Sequence, residues 1–376
     1  MACEQLTRLG DVIELEDVKR EPISSRDRKD RKGSYPYYGA QGIVDYLDDY
    51  TYEGDYLLVA EDGENLRSRK NPIANAASGK FRVNNHAHVI AESEKCNLVF
   101  LRHLLNMTDI SAYVTGSTQP KLSQSNLCAM KLPLPSMAEQ NAIANVLSLF
   151  DRKIELNNQL NDYLEQLVDG KFQELFGGLN FNATLSDVAE ITMRQSPAGS
   201  SYNEEGAGII FYQGRGEFGW RFPKRRLYTT EPKRLACEGD VLMSVRAPVG
   251  DLNVAFENCC IGRGLAAIHS ETPSFALYLM RFLKPQLEAY NGEGTVFGSI
   301  NGKALKSLEV ALPSHNEVMQ FESFAAPIDA LIRSNENETR KLNNLRNYLL
   351  PKLMSGEIDV SKVDLTQLTN NHLADY

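Results

Sequence analysis

The stretch FYQGRGEFGWRFPKRRLY (211–228) holds five cations, Arg215, Arg221, Lys224, Arg225 and Arg226, against the single acid Glu217. Phe211, Tyr212, Phe218, Trp220, Phe222 and Tyr228 are interleaved with them. Such a mixture suits phosphate neutralisation combined with base contact. Arginine forks match guanine, and glutamine or asparagine matches adenine in the major groove. An earlier region carries the same chemistry in three pieces. RDRKDRK (26–32) contributes Arg26, Arg28, Lys29, Arg31 and Lys32; YPYYGAQG (35–42) contributes Gln41; RSRK (67–70) contributes Arg67, Arg69 and Lys70. Gln41 and Gln213 lie in corresponding glycine-flanked turns, which makes both candidate base readers. Together with Tyr212, these residues are the expected contacts to double-stranded DNA. The alternating acids of 26–32 also suit a solvated loop, and both readings stay open there.

Other chemistry is conspicuously missing. The six cysteines never form a CxxC, and no paired Cys/His ligand spacing appears, so no zinc site is expected. A DNA methyltransferase would need a glycine-rich cofactor loop and a catalytic loop such as NPPY. Asn71-Pro72-Ile73-Ala74 has only the first two letters of the latter. Gly262 to Ala267 fits GxGxxA as a string, but no helical pattern follows before Pro273, so chance explains it. GSINGKA (298–304) is one residue short of a phosphate loop and lacks the hydroxyl that would hold magnesium. His86-x-His88 supplies two ligands, which do not make a site. The expectation is a binding and organising chain, with no catalytic residue, metal or cofactor of its own.

What positions the readers is a duplication. LPLPSMAEQNAIANVLSLFDRKIELN (132–157) matches VALPSHNEVMQFESFAAPIDALIRSN (310–335), and upstream YEGDYLLVA (52–60) matches CEGDVLMSV (237–245). Each copy is a turn-rich segment followed by a helical one. Each helical segment opens with a capping box, Ser136-x-x-Glu139 and Ser314-x-x-Glu317, one residue after a proline. Steps of four and three then run through Ile143, Leu147, Phe150, Ile154, Asn157, Leu164 and on to Leu175. In the second copy they run through Phe321, Ile328, Ile332, Asn335, Leu342 and Leu349. A polar layer, Asn157 with Asn161 and Asn335 with Thr339, falls at the same place in both. This predicts an antiparallel coiled coil whose polar layer sets register. Ile143 to Leu175 rises roughly 48 Å at about 1.5 Å per residue, so the helices act as a spacer.

The predicted fold class is α/β, of the α+β kind. Two recognition domains, 1–135 and 181–313, are joined by helices over 136–180 and 314–356, with a tail at 357–376. The net charge of −9 is uneven: 136–180 and 314–376 carry −7 of it, so the acidic helices are not the DNA-facing part. No apolar run approaches the roughly 18 residues of a membrane span. The N-terminus is acidic where a signal peptide would be basic, so a soluble, cytoplasmic protein is expected.

The repeated helical segments, NLRNYLLPKLMSGEIDV, the EGD-strand motif and GST…LSQSNL resemble type I restriction–modification specificity (S) subunits over nearly the whole chain. The resemblance implies two target-recognition domains, each reading half of a split, asymmetric DNA sequence. It implies that the coiled coil spaces the halves and docks methyltransferase (M) subunits, expected as two, with restriction (R) subunits joining that core. S-adenosylmethionine would belong to the M subunits, and ATP with magnesium to the R subunit. The alternatives from other classes are a catalytic methyltransferase or nuclease component and a coiled-coil scaffold with no DNA role.

Overall fold

The computed structural model describes residues 6–193, 195–291 and 298–360. Cys3 and the tail from 361 onward lie outside the described residues. Contacts divide the chain into two compact units. Residues up to Leu156 and those from Glu338 onward form unit 1, and Asn157–Asn337 forms unit 2. The helices expected over 136–180 and 314–356 run over Met137–Phe176 and His315–Met354. Each contributes one half to each unit.

Unit 1 is built on β1 (Glu14–Leu15), β2 (Lys32–Gly39), β3 (Gly42–Leu47), β4 (Tyr52–Ala60), β5 (Ala74–Val83) and β6 (Ala87–Ala91). Among the described residues these form one sheet in the order β1-β6-β4-β5-β2-β3. Neighbours are antiparallel except β2 and β5, which run parallel with Tyr37 opposite Arg82 and Tyr38 opposite Val83. Alternation along β4 sends Leu57 and Val59 to one face and Tyr52 and Leu58 to the other. Both faces are covered, so the run reads as continuously apolar. The outer face is filled by rings, Tyr52 stacked on Phe81 at 5.4 Å. The inner face meets the helix Leu98–Met107, whose start is capped by the Asn97 side chain accepting from Val99 N and Phe100 N at 3.0 Å each. Phe100, Leu101, Leu104 and Leu105 of that helix share a core with Ile143, Leu147 and Phe150 of the first long helix. Leu342, Leu350 and Leu353 of the second long helix complete it.

Unit 2 repeats this plan with shorter strands: β7 (Glu190–Met193), β8 (Tyr202–Asn203), β9 (Ile209–Tyr212), β10 (Tyr228–Thr229), β11 (Leu235–Ala236), β12 (Val241–Ser244), β13 (Leu252–Val254), β14 (Cys259–Ile261) and β15 (Leu265–His269). The described residues place them in two sheets, β7-β15-β12-β13 and β8-β10-β9-β14-β11. β9 and β14 are parallel, with Phe211 opposite Cys260 and Tyr212 opposite Ile261, the same relation as β2 and β5. The helix Pro273–Phe282 takes the place of Leu98–Met107, and Phe172, Phe176, Phe275 and Phe321 interlock in an edge-on cluster.

Both capping boxes form: Glu139 Oε2 accepts from Ser136 N at 3.0 Å and Glu317 Oε2 from Ser314 N at 2.9 Å. Within unit 2 the long helices run antiparallel, with Asn157 near Asn335 and Phe172 near Phe321. Asn335 Nδ2 donates to Asn161 Oδ1 at 2.8 Å, and Asn161 Nδ2 to Glu336 Oε1 at 3.4 Å. These buried amides have specific partners that a shifted register would lose. Phe321, Ile332 and Leu342 are buried, while Ile154, Leu164, Ile328 and Leu349 are half-buried. One seam position departs from expectation: Leu175 is exposed, and Phe172 and Phe176 face the core instead. An α-helix of about 3.6 residues per turn drifts relative to a 3.5 repeat, and here the heptad ends as the helix meets the globular body.

Each helix pair is fastened to its sheet domain by a carboxylate. Asp151 lies 2.9 Å from His103 Nε2 and 2.6 Å from Arg346 Nη1, and also accepts from Arg102. In unit 2 Asp329 accepts from Arg221 Nη2 at 2.5 Å and Tyr278 OH at 3.0 Å. Asp329 stands 178 positions after Asp151, at the same place in the repeat. Burial pushes the Asp151 carboxyl up, but the bond from His103, the charges of His103 and Arg102 and the bond from Arg346 prevail and hold it at about 2. A carboxyl depressed from its ordinary 3.8 stabilises the folded state fully above that value. The contribution is lost as pH falls through the range between about 4 and 2, and amounts to about 2 kcal/mol. Urea unfolding followed from pH 5 to pH 2 should show this loss, and Asp151→Asn should already lack that component at pH 5. An unchanged pH dependence in the variant would show that the latch contributes nothing.

Candidate nucleic-acid interface

The duplicated parallel pair sets up the same loop cluster in both units. In unit 2, Gly262 N donates to Tyr212 O at 2.8 Å, closing the turn after β14 onto the end of β9. Val245 N donates to Gly264 O at 3.0 Å, and Ile300 N to Val245 O at 3.1 Å. Four segments therefore meet at one sheet end: 213–217, 245–247, 262–264 and 298–300. The approach is close enough to require glycine. A Cβ on Gly262 would stand 2.8 Å from the Gln213 carbonyl oxygen, and one on Gly264 would stand 2.9 Å from it. From this cluster Gln213, Arg215, Arg246 and Arg263 are exposed. Arg215 Nε pairs with Asp251 at 2.8 Å. The side chains of Gln213, Arg246 and Arg263 make no hydrogen bond or ion pair with any described residue. They present donor groups at the protein surface, the requirement for contact with phosphate or base edges.

Unit 1 reproduces the backbone pattern with different side chains. Asn84 N donates to Tyr38 O at 3.0 Å, Leu122 N to Glu61 O at 2.7 Å, and Gly63 N to Pro120 O at 3.0 Å. Exposed here are Gln41, Asn85, His86 and Lys121. His86 Nδ1 lies 2.7 Å from Asp62 Oδ2, and Lys121 pairs with Glu61 at 3.1 Å. Gln41 sits in a two-residue hairpin closed by Gly39 opposite Gly42, where the φ of 119° at Gly42 favours glycine. Arg67 reaches this cluster by donating to Gly116 O and to Ser117 O, the latter at 2.9 Å.

Several expected contacts are placed elsewhere. Arg221 is buried, bound to Asp329 and Tyr278 and 3.5 Å from Glu165, so it fastens the domain to the long helices and is not available to DNA. Tyr212 is fully buried in the sheet core, where its backbone carbonyl supports the Gly262 turn. Arg69 is half-buried and donates to the Leu105, Asn106 and Thr108 carbonyls, which closes the end of the helix Leu98–Met107. Phe211 and Phe222 are also buried, whereas Trp220 is 43% exposed. The remaining cations of 211–228 are outward but partly neutralised. Arg225 pairs with Glu257 at 2.6 Å, and Arg226 with Glu217 at 2.6 Å and Glu204 at 3.3 Å, while Lys224 is exposed with no such partner among the described residues.

RDRKDRK sits at the opposite end of β2 from Gln41, about 23 Å away at the rise of an extended strand. There Arg28 pairs with Asp45 at 3.3 Å and lies over the Tyr37 ring. Lys32 pairs with Asp45 at 2.5 Å, and Arg31 with Asp49 at 2.7 Å. Arg26, Lys29 and Lys70 are exposed and make no side-chain bond to described residues. Local charge counting missed Arg246, Arg263, Asn85 and His86. The available signal was the Gly-Arg-Gly at 262–264, where two glycines flank one exposed cation. The near-miss phosphate loop is no cradle, because Asn301 Oδ1 itself accepts from Lys303 N and Ala304 N at 3.0 Å.

A family model described as "Type I restriction modification DNA specificity domain" matches residues 5–166 and again 182–347. The chain is 30% identical, over 94% of its length and 84% of the relative's, to a putative type I restriction enzyme MjaX specificity subunit of Methanocaldococcus jannaschii. A second relative, a putative type I restriction enzyme specificity subunit of Haemophilus influenzae, is 37% identical over 37% of this chain and 35% of that one. The fold is similar to that of a type I restriction–modification S subunit from M. genitalium, with TM-score 0.62 and 17% identity over 93% of this chain and 95% of that one. No helix among the described residues is long and apolar enough to cross a membrane.

The division between anchoring and outward cations is measurable. Arg221→Ala leaves half-buried Asp329 without its charge partner and empties a buried site, and should lower stability by about 3 kcal/mol. Lys224→Ala and Arg263→Ala should each change it by less than about 0.5 kcal/mol. Equal losses of urea midpoint across the three variants would refute the assignment of Arg221 as an anchor.

Proposed function

The chain belongs to the type I restriction–modification DNA specificity family, and we propose that its two loop clusters read the two halves of a split DNA target. It is a specificity subunit, a DNA-recognising and non-catalytic chain. The observation that carries the proposal is the repeated backbone frame with unlike side chains: Gln213, Arg215, Arg246 and Arg263 in unit 2, and Gln41, Asn85, His86 and Lys121 in unit 1. Like frames with unlike readers suit an asymmetric target. Arginine forks favour guanine edges, and the amides of Gln41 and Asn85 suit adenine. Lys224, Arg225 and Arg226 in unit 2, and Arg67 with Lys70 in unit 1, would neutralise phosphates beside the reading loops. The cations at 26–32 lie away from Gln41, so on this reading they contact the backbone of the duplex or none of it.

The helices serve as the spacer between recognition domains 1–135 and 181–313 and as the docking surface for methyltransferase subunits, two per chain, with a restriction subunit joining them. Leu160, Tyr163 and Leu167 support that role, since they are 42%, 69% and 54% exposed on one face of the first long helix. Their spacing of three and four matches an amphipathic helix partner. S-adenosylmethionine, ATP and magnesium then belong to the partners, and the complex works in the cytoplasm, where the chromosome is.

Selection of bound duplexes from a random pool, with the chain co-purified with its methyltransferase subunit, tests the reading directly. A split motif with a fixed internal gap is expected. Arg246→Ala combined with Arg263→Ala should erase letters in one half only, leaving the other half and the gap unchanged. An unbiased pool at low salt with the complex intact would overturn the proposal. Separately, Leu160→Asp with Leu167→Asp should abolish co-purification of the methyltransferase subunit while circular dichroism stays unchanged; retention of the partner would remove this face as its dock.

A further inference from the structure

At the other end of β12 and β15 from the reading loops, unit 2 brings three different donor side chains together. Cys237 follows β11 and opens the turn Cys237-Glu238-Gly239-Asp240, in which Gly239 has a φ of 88°. Asp240 directly precedes β12, and His269 ends β15. Because Val241 pairs with Ile268, the next residues outward, Asp240 and His269, face each other. His269 Nδ1 lies 2.6 Å from Asp240 Oδ1, and Asp240 Oδ2 accepts from Cys237 N at 2.7 Å. The Cys237 sulfur, an Asp240 carboxylate oxygen and a His269 ring nitrogen all fall within 4.8 Å of one another. Asp240 is buried, while Cys237 and His269 are exposed.

We propose that Cys237, Asp240 and His269 bind a borderline divalent transition-metal ion of the zinc type, with its fourth position open to water. Thiolate, imidazole and carboxylate are the donors zinc takes, at about 2.3, 2.0–2.1 and 2.0–2.2 Å respectively. To admit the ion the exposed imidazole must draw back from its 2.6 Å contact with Asp240 to a ligand–ligand separation of about 3.3 Å, and the exposed Cys237 side chain must close in, while the Cys237 N–H holds the orientation of Asp240. The ion takes the place of the proton that His269 and Asp240 share, and the Cys237 thiol gives up its proton to solvent on binding. The surroundings favour a cation: Glu190 is paired in register with His269, and Glu271 lies two residues beyond it. Glu238, the other acid of the turn, is engaged by Arg333.

The trio has no counterpart in unit 1. In unit 1 the equivalent YEGD places Tyr52 at the position of Cys237 and Asp55 at that of Asp240, and register places Glu92 at that of His269. There the four residues are no turn but the start of β4, paired with β5, with Tyr52 buried and Asp55 exposed. The three donors are therefore a feature of unit 2 alone. An ion here would clip the β11–β12 turn to the end of β15, about 20 Å along the chain from Arg263. It would stiffen the frame without touching a reading residue.

The test uses the full chain, stripped with a chelator and titrated with zinc or cobalt(II) alone. One equivalent per chain, a thiolate-to-cobalt charge-transfer band and a raised thermal midpoint are expected. Cys237→Ser should remove the band, and both Cys237→Ser and His269→Ala should weaken binding at least tenfold with circular dichroism unchanged. Absence of the band in the unaltered chain, or binding by both variants as tight as by the unaltered chain, would overturn the site and leave a hydrogen-bonded turn. The DNA motif selected by either variant should be unchanged, so the outcome is independent of the reading-loop assignment.

Discussion

A carboxylate held between a long helix and a sheet domain is the constraint on which each unit turns. Apolar packing brings Phe150 or Phe321 against its neighbours but is nearly indifferent to small rotations of the helix about its axis. Asp151 and Asp329 are not indifferent. Each sits in a partly dehydrated interface and must meet its cations and hydroxyl or imidazole donors at hydrogen-bond distance. An unpaired charge there is costly, so one rotational setting of the helix is selected. The two latches use different chemistry at one topological place, His103 with Arg102 and Arg346 in unit 1, Tyr278 with Arg221 in unit 2. What the duplication retains is the acceptor; the donors have diverged around it.

The outward loops proposed to read DNA follow from that fixed body. In both units a parallel strand pair closes through one backbone bond, Asn84 N to Tyr38 O or Gly262 N to Tyr212 O, and this gathers loops from four strand ends. The loops carry little of the core, so their side chains are free to change without disturbing the sheet. Unit 2 presents mainly cationic donors, whereas unit 1 presents amides, a histidine held by Asp62, and a lysine held by Glu61. On the proposed reading, a shared frame with independent side chains lets one duplicated module recognise two unlike sequences.

The long helices divide their surface similarly. Asn157, Asn161 and Asn335 are buried and bonded to one another, a specific arrangement in an otherwise apolar seam. Leu160, Tyr163 and Leu167 point outward instead, and the excess of acids lies on these segments. Seam and outer face are thus both partly apolar, but only the seam has a polar layer that fixes a partner within the chain.

Much of this was legible in the residues themselves. The duplication, both capping boxes, the apolar stripe with its polar layer and the resemblance to specificity subunits all rest on local or periodic signals. Such signals survive because a helix start needs only four residues and a stripe needs only its own period. The candidate site was less legible. Arg221 and Arg263 look alike in a string, yet one is buried against an aspartate 108 positions away and the other is exposed between two glycines. Arg69 closes a helix end, and Leu175 leaves the seam where the helix period outruns the heptad. Cys237 and Asp240 share one turn, but His269 joins them only through the register between strands, not through proximity in sequence. Sequence alone determined which elements exist and how often they recur. Only the tertiary structure decided which charges face outward, because pairing and burial depend on residues that the chain brings together from far apart.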